Sequence, residues 1–170
     1  LMSRTNARVI LTNEKLDIAI LKIEKSEAIK NWQVPFFFSD RSTDLGEKVF
    51  TLGFPRKDVV YGEGSLSSLS GYDDDTCMCQ ISIPVNPGNS GGPLCDEQGN
   101  IIGLIRSKNT NAEGTGFAVK SRHIVYALRD VGADSILVQG RKTPFKHLKR
   151  TEQIKRMNPY VFNLLVYKKD

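Results

Sequence analysis

Two histidines, three cysteines and one tryptophan in 170 residues leave this chain short of the side chains that most often carry chemistry. The cysteines Cys77, Cys79 and Cys95 are odd in number and follow no disulfide framework, so they are expected to be free, buried thiols. With neither a CxxC pair nor a neighbouring histidine, they give no zinc site, and no metal or cofactor is expected. Cys77 and Cys79 lie two apart in a predicted strand and are expected to share a face. Long apolar runs are missing too. The longest, Val161 to Tyr167, is interrupted by Asn163 and falls well short of the ~20 residues a membrane-spanning helix needs. No secretory signal precedes the first strand, but Leu1-Met2-Ser3 does not read as a natural start, so the compartment stays open and export is compatible with a signal further upstream. There is no internal repeat and no low-complexity tract.

Excess charge is absent from most of the chain and concentrated at its end. Residues 1–140 hold 15 basic and 17 acidic side chains, whereas residues 141–170 hold 9 basic and 2 acidic ones. The net charge of +5 therefore belongs to the tail. Because no aromatic-interleaved pattern accompanies it, the tail reads as a solvated basic face, and no nucleic-acid partner is expected.

What remains is rich in short strands. Asn6–Thr12 and Leu16–Ile23 read as two strands, the second with a continuous apolar core expected to be buried on both faces. Phe36-Phe37-Phe38 reads as an aromatic cluster. From residue 48 onward, strands are predicted at Lys48–Gly53, Gly62–Ser70, Thr76–Ile83, Gly91–Cys95, Asn100–Arg106 and Thr115–Lys120. Their Gly/Asp/Asn-rich turns suggest a closed antiparallel barrel. A helix capped by Ser121 runs to about Asp130, a basic helix is predicted over Phe145–Met157, and Tyr160–Tyr167 has strand composition.

One stretch stands apart. Asn86-Pro87-Gly88-Asn89-Ser90-Gly91-Gly92-Pro93-Leu94 combines proline, which fixes φ, with glycine, which permits φ > 0. Such a bend can expose the Ser90 hydroxyl while the N–H groups of Gly88 and Ser90 converge on one point. A nucleophile and an oxyanion hole are the two parts that acyl transfer requires.

Three further blocks accompany it: Leu16-Asp17-Ile18-Ala19-Ile20-Leu21, Gly46-Glu47-Lys48-Val49-Phe50-Thr51-Leu52-Gly53-Phe54-Pro55, and Gly114-Thr115-Gly116-Phe117-Ala118-Val119. Together the four resemble the trypsin-like serine peptidases of the HtrA/Deg type, over roughly residues 7–130. The resemblance implies an all-β, chymotrypsin-like double β-barrel. Here that would be a complete second barrel plus a remnant of the first, followed by a C-terminal helix and a basic tail. The expected divisions are 1–40, 41–132 and 133–170. It also implies a serine endopeptidase acting on proteins or peptides, with Asp17 and Ser90 catalytic and Gly88, Asn89 and Ser90 forming the oxyanion hole. The substrate pocket would be lined by Pro84, Val85, Arg106, Ser107, Lys108, Gly116 and Phe117. With no carboxylate at Pro84, cleavage after Lys or Arg is not expected, and a small or medium aliphatic residue would suit the walls.

One catalytic part is absent. The family needs a histidine upstream of the aspartate, and no residue before Asp17 is one. His123 and His147 both follow Ser90, on segments where a capping or surface role is expected. Two strands cannot close a barrel either. The coherent expectation is the C-terminal part of a larger peptidase, inactive as it stands, whose partner is the missing N-terminal barrel segment of the same protein; an oligomer is also compatible. The tail strand is expected to cover the open strands. The alternative is an inactive, protease-like peptide-binding module or an autolytic fragment.

Overall fold

Strands appear where short apolar runs are punctuated by turn residues, and the computed structural model describes them over residues 6–24, 34–106, 115–133 and 145–164. Six form one closed antiparallel barrel: β3 (Lys48–Gly53), β4 (Val60–Ser68), β5 (Met78–Ile81), β6 (Pro93–Asp96), β7 (Ile101–Arg106) and β8 (Gly116–Lys120). They close in the order β3-β4-β5-β8-β7-β6. Two more, β1 (Ala7–Asn13) and β2 (Ile18–Ile23), pair antiparallel in a separate sheet. The barrel interior is filled by Val49, Leu66, Cys79, Ile81, Ile83, Leu94, Ile102, Ile105 and Ala118.

The outside of the barrel is also apolar on two sides, and each side has its cover. Along β3, Val49 points inward while Phe50 and Leu52 point outward, as a two-residue period requires. Those outward groups, with Cys95 and Ile101, meet a C-terminal strap that begins at Phe145 and continues through helix α2 (Arg150–Met157). Phe145 and Met157 are both buried there. The strap's Arg150 guanidinium lies 3.8 Å from the centroid of the Phe50 ring. The Gln153 amide donates to the carbonyls of Glu97 and Phe145, at 3.0 Å each. On the other side, helix α1 (Ser121–Asp130) lays Ile124 and Leu128 against Val119, together with Leu16, Ile18 and Ile20.

Several expectations are corrected here. β2 is covered on one face only: Ile18 and Ile20 pack toward α1, while Ala19 and Leu21 are exposed, because nothing described lies on their side. Ser121 does not cap α1. It sits inside the first turn, where its hydroxyl donates to the Ser39 carbonyl and ties the helix to the inter-barrel connection. Cys77 and Cys79 do not share a face, because the Asp75 carboxylate accepts the Cys77 N–H at 2.9 Å and holds that residue in a turn. Cys79 enters the interior, where burial pushes its thiol up to about 11, while Cys77 packs outside near Leu16. In the tail, the helix starts at Arg150, five residues later than expected. Asn158–Tyr160 is a single 3-10 turn that contains Pro159, and Val161–Leu164 form no strand. The strap docks on β3 and β6 rather than pairing with β1 and β2; the rest of the expected tail strand lies outside the described residues.

The β6–β7 hairpin is held by a buried carboxylate. Asp96 accepts the N–H groups of Gln98 and Asn100 and the Asn100 side-chain amide. Arg41 reaches Asp96 at 3.2 Å and Glu47 at 2.7 Å. The hydrogen bond from Arg41 holds the Glu47 carboxyl below its ordinary range. A carboxyl depressed in the folded state adds stability that is present above its unfolded pKa and is lost as pH falls through the folded one. Arg41→Ala should therefore lower the urea midpoint at pH 7, and the gap to the unsubstituted protein should narrow toward pH 3. A gap that widens on acidification would contradict this pairing.

Candidate active site

The loop from Pro84 to Gly92 is built by backbone bonds to its neighbours. Asn89 N–H closes a tight turn on the Asn86 carbonyl at 3.0 Å, and Gly92 N–H closes the next on Asn89 at 3.0 Å. Phe54 N–H donates to the Gly88 carbonyl at 2.9 Å, which fixes the loop to the end of β3. Gly88 has φ +96°, and a Cβ there would overlap the Phe54 carbonyl oxygen, so only glycine fits. Asn89 is buried against Gly53, and the Ser90 side of the turn is exposed. Beyond the serine, Gly91 N–H donates to the Ile105 carbonyl and Ile105 N–H donates to Gly92, each at 2.8 Å. The loop thus hangs between the end of β3 and the end of β7.

Asp17 lies at the tip of the β1–β2 turn with φ +56°, a conformation aspartate tolerates better than most residues. Its carboxylate is largely solvent-facing and pairs with Arg106, Nε to Oδ2 at 3.4 Å. Arg106 follows Ile105 directly, so the last two residues of β7 touch the Ser90 loop on one hand and the Asp17 turn on the other. Asp17 and the glycine pair that follows Ser90 come from distant parts of the sequence and are tied to the adjacent residues Arg106 and Ile105.

The expected pocket residues separate. Val85 is half-buried and packs so closely on Gly116 that a Cβ at that glycine would overlap its methyl group. Gly116 and Val85 are therefore in direct contact beside the interior, while Pro84 is exposed and Phe117 is buried on the alternate face of β8. Arg106 turns toward the Asp17 turn, with Nη1 3.4 Å from the Lys15 carbonyl. Ser107 and Lys108 lie outside the described residues. Gly53 and Phe54 seat the loop, a role that depends on a contact between segments far apart in sequence. The Arg106 link to Asp17 joins residues far apart in sequence and leaves no local signal.

His123 lies on α1 with its ring 6.3 Å from that of Tyr126. Burial, then the positive charges of Arg122 and Lys120, push its pKa down. His147 is exposed in the turn that opens the strap. Each sits on one of the two outer covers.

A family model described as "Trypsin-like peptidase domain" matches residues 2–104. The chain belongs to the trypsin-like peptidase family. Curated relatives of the HtrA type are among the proteins it matches. Serine protease Do-like HtrA of Lactococcus lactis is 31% identical over 150 residues, 77% of this chain and 36% of the relative. Human serine protease HTRA4 is 35% identical over 120 residues, 65% of this chain and 24% of the relative. Among solved structures, Rv3671c from M. tuberculosis H37Rv, a serine-to-alanine mutant in an inactive form, superposes with a TM-score of 0.60 at 24% identity. That match covers 76% of this chain and 66% of the other, and shows a shared fold. The chain spans between 16% and 36% of the length of these and another curated relative it matches.

Proposed function

We propose that this trypsin-like peptidase chain carries the nucleophile, oxyanion-hole and aspartate parts of a serine endopeptidase, with Ser90 as nucleophile and Asp17 as the carboxylate. The histidine base would come from the missing first-barrel segment of the same protein, outside these 170 residues. The observation that carries this reading is the Gly88–Ser90 turn, pinned at Phe54 on one side and at Ile105 on the other. In the reaction, Ser90 Oγ bonds to the substrate carbonyl carbon and its proton passes to the imidazole. The N–H groups of Gly88 and Ser90 stabilise the oxyanion. The carbon–nitrogen bond breaks as the imidazolium returns the proton to the amine, and water then releases the acyl group by the same route. Asp17 keeps the imidazole in the required tautomer. The apolar surface around Val85 and Gly116, with no carboxylate at Pro84, suits a small or medium aliphatic side chain before the cut.

The test is labelling with a fluorophosphonate, in which the Ser90 oxygen–phosphorus bond forms as fluoride leaves. The full natural chain should label at Ser90, Ser90→Ala should not, and the 170-residue chain alone should be inert for want of a base. A full chain that stays unlabelled yet binds unfolded peptide would favour the non-catalytic binding module.

A further inference from the structure

Arg106 was expected beside the substrate pocket, but the side chain reaches elsewhere. Its Nε lies 3.4 Å from Asp17 Oδ2, its Nη1 lies 3.4 Å from the Lys15 carbonyl, and the same Nη1 lies 3.7 Å from the Met78 sulfur. One guanidinium therefore grips both the side chain and the backbone of the β1–β2 turn. It does so from a strand end whose preceding residue, Ile105, already bonds Gly91 and Gly92, the two residues that follow Ser90. The Arg106 side chain is 20% exposed, against 68% for Asp17, so the barrel fixes the arginine and the arginine orders the aspartate. A planar fork with several donors suits that task, where a flexible ammonium would not.

We infer that Arg106 is a positioning residue for the proposed acyl-transfer site, holding one oxygen of the Asp17 carboxylate against the strand end that carries the nucleophile loop. This rests on the peptidase reading of Asp17 and Ser90. The other carboxylate oxygen is left to orient the histidine base. The arrangement has a second consequence beyond geometry. A fixed cation on the far side of the carboxylate offsets part of the negative charge that would otherwise favour the imidazolium. The other charged and titratable groups around this turn are Glu14 and Lys15 on the turn itself, with Asp75, Lys120, Arg122 and His123, which share a field with Lys15. Lys120 is engaged by the Thr76 carbonyl at 2.7 Å.

The experiment follows the fluorophosphonate labelling rate of Ser90 against pH in the full natural chain and two variants, with thermal melts to fix the folded fraction. In Arg106→Ala the rate should fall about 10- to 100-fold, as expected for a misplaced orienting group. The midpoint of its acid limb should rise by about half a pH unit, because removing a cation favours the imidazolium. Arg106→Lys keeps the charge and loses the fork, so the rate should fall severalfold while the midpoint stays near that of the unsubstituted chain. Labelling of Arg106→Ala at an unchanged rate and midpoint would overturn the inference and leave the peptidase reading standing. A rate that falls only in proportion to the folded fraction, with the midpoint unmoved, would also overturn it by reducing Arg106 to a structural tie. Failure of the unsubstituted full chain to label would overturn the peptidase reading, and this inference with it.

Discussion

Gly88→Ala should reduce fluorophosphonate labelling of the full natural chain by about 10²- to 10³-fold, the scale set by losing one oxyanion-hole donor. The reason lies in two separate demands on that residue. Its φ of +96° is costly for any side-chain-bearing residue, on the order of 1–3 kcal/mol. The new methyl group would also run into the Phe54 carbonyl, so the loop would have to leave the end of β3 and turn its N–H away. Gly91→Ala is the matched control. Gly91 also has positive φ, +81°, yet a Cβ there meets nothing within 4 Å. It should lose some stability and retain most of its labelling. Equal losses in the two variants would mean that conformational strain alone governs the loop and that the contact with Phe54 carries no weight.

Phe145→Ala should be the most damaging substitution for stability, costing about 3–5 kcal/mol, the usual range for truncating a fully buried phenylalanine. Much of the stability of an ordinary domain would go with it, since the total is about 5–15 kcal/mol. The ring is 1% exposed, and Gly99 leaves no slack beneath it, since a Cβ there would lie 2.7 Å from Phe145 Cδ2. Its loss would also uncover Phe50 and Ile101 and weaken the Gln153 bonds that hold the hairpin carbonyl of Glu97. A urea titration with an unchanged slope and a lower midpoint is the expected result. A cost below about 1 kcal/mol, the level of an ordinary surface change, would mean that the strap is not docked in solution.

The barrel was legible in the sequence because its signals are local. β3 was predicted to the residue, and the other barrel strands shifted by only a few positions at their ends, as at Val60–Ser68 against Gly62–Ser70. The turn at Glu97–Asn100 needs Gly99 at positive φ and is fixed by the Asp96 carboxylate. The loop bearing Ser90 was legible for the same reason, since its glycines and prolines restrict the backbone wherever they occur. What stayed hidden depends on tertiary covering. The run Ile18-Ala19-Ile20-Leu21 looks buried on both faces, but composition cannot say that only one face has a neighbour. The basic tail reads as solvated because its charges dominate the count. Yet Phe145, Gln153 and Met157 turn one side of it into a cover for β3 and β6. Arg106 looked like a pocket residue by position, and only the fold brings it to Asp17.

The closure of the barrel sets when the Ser90 turn can form. β3 meets β6 through Val49↔Asp96, Phe50↔Cys95 and Thr51↔Leu94, and β6 meets β7 across the adjoining hairpin. The Ser90 turn lies just before β6 and takes its bonds from Phe54 at the end of β3 and Ile105 in β7. These are contacts of long sequence separation, which form late and slowly in β-rich domains. A nascent or partly unfolded chain therefore has the serine but not the turn that holds it. Late formation of that turn, and its loss on local unfolding, are consequences of the topology itself.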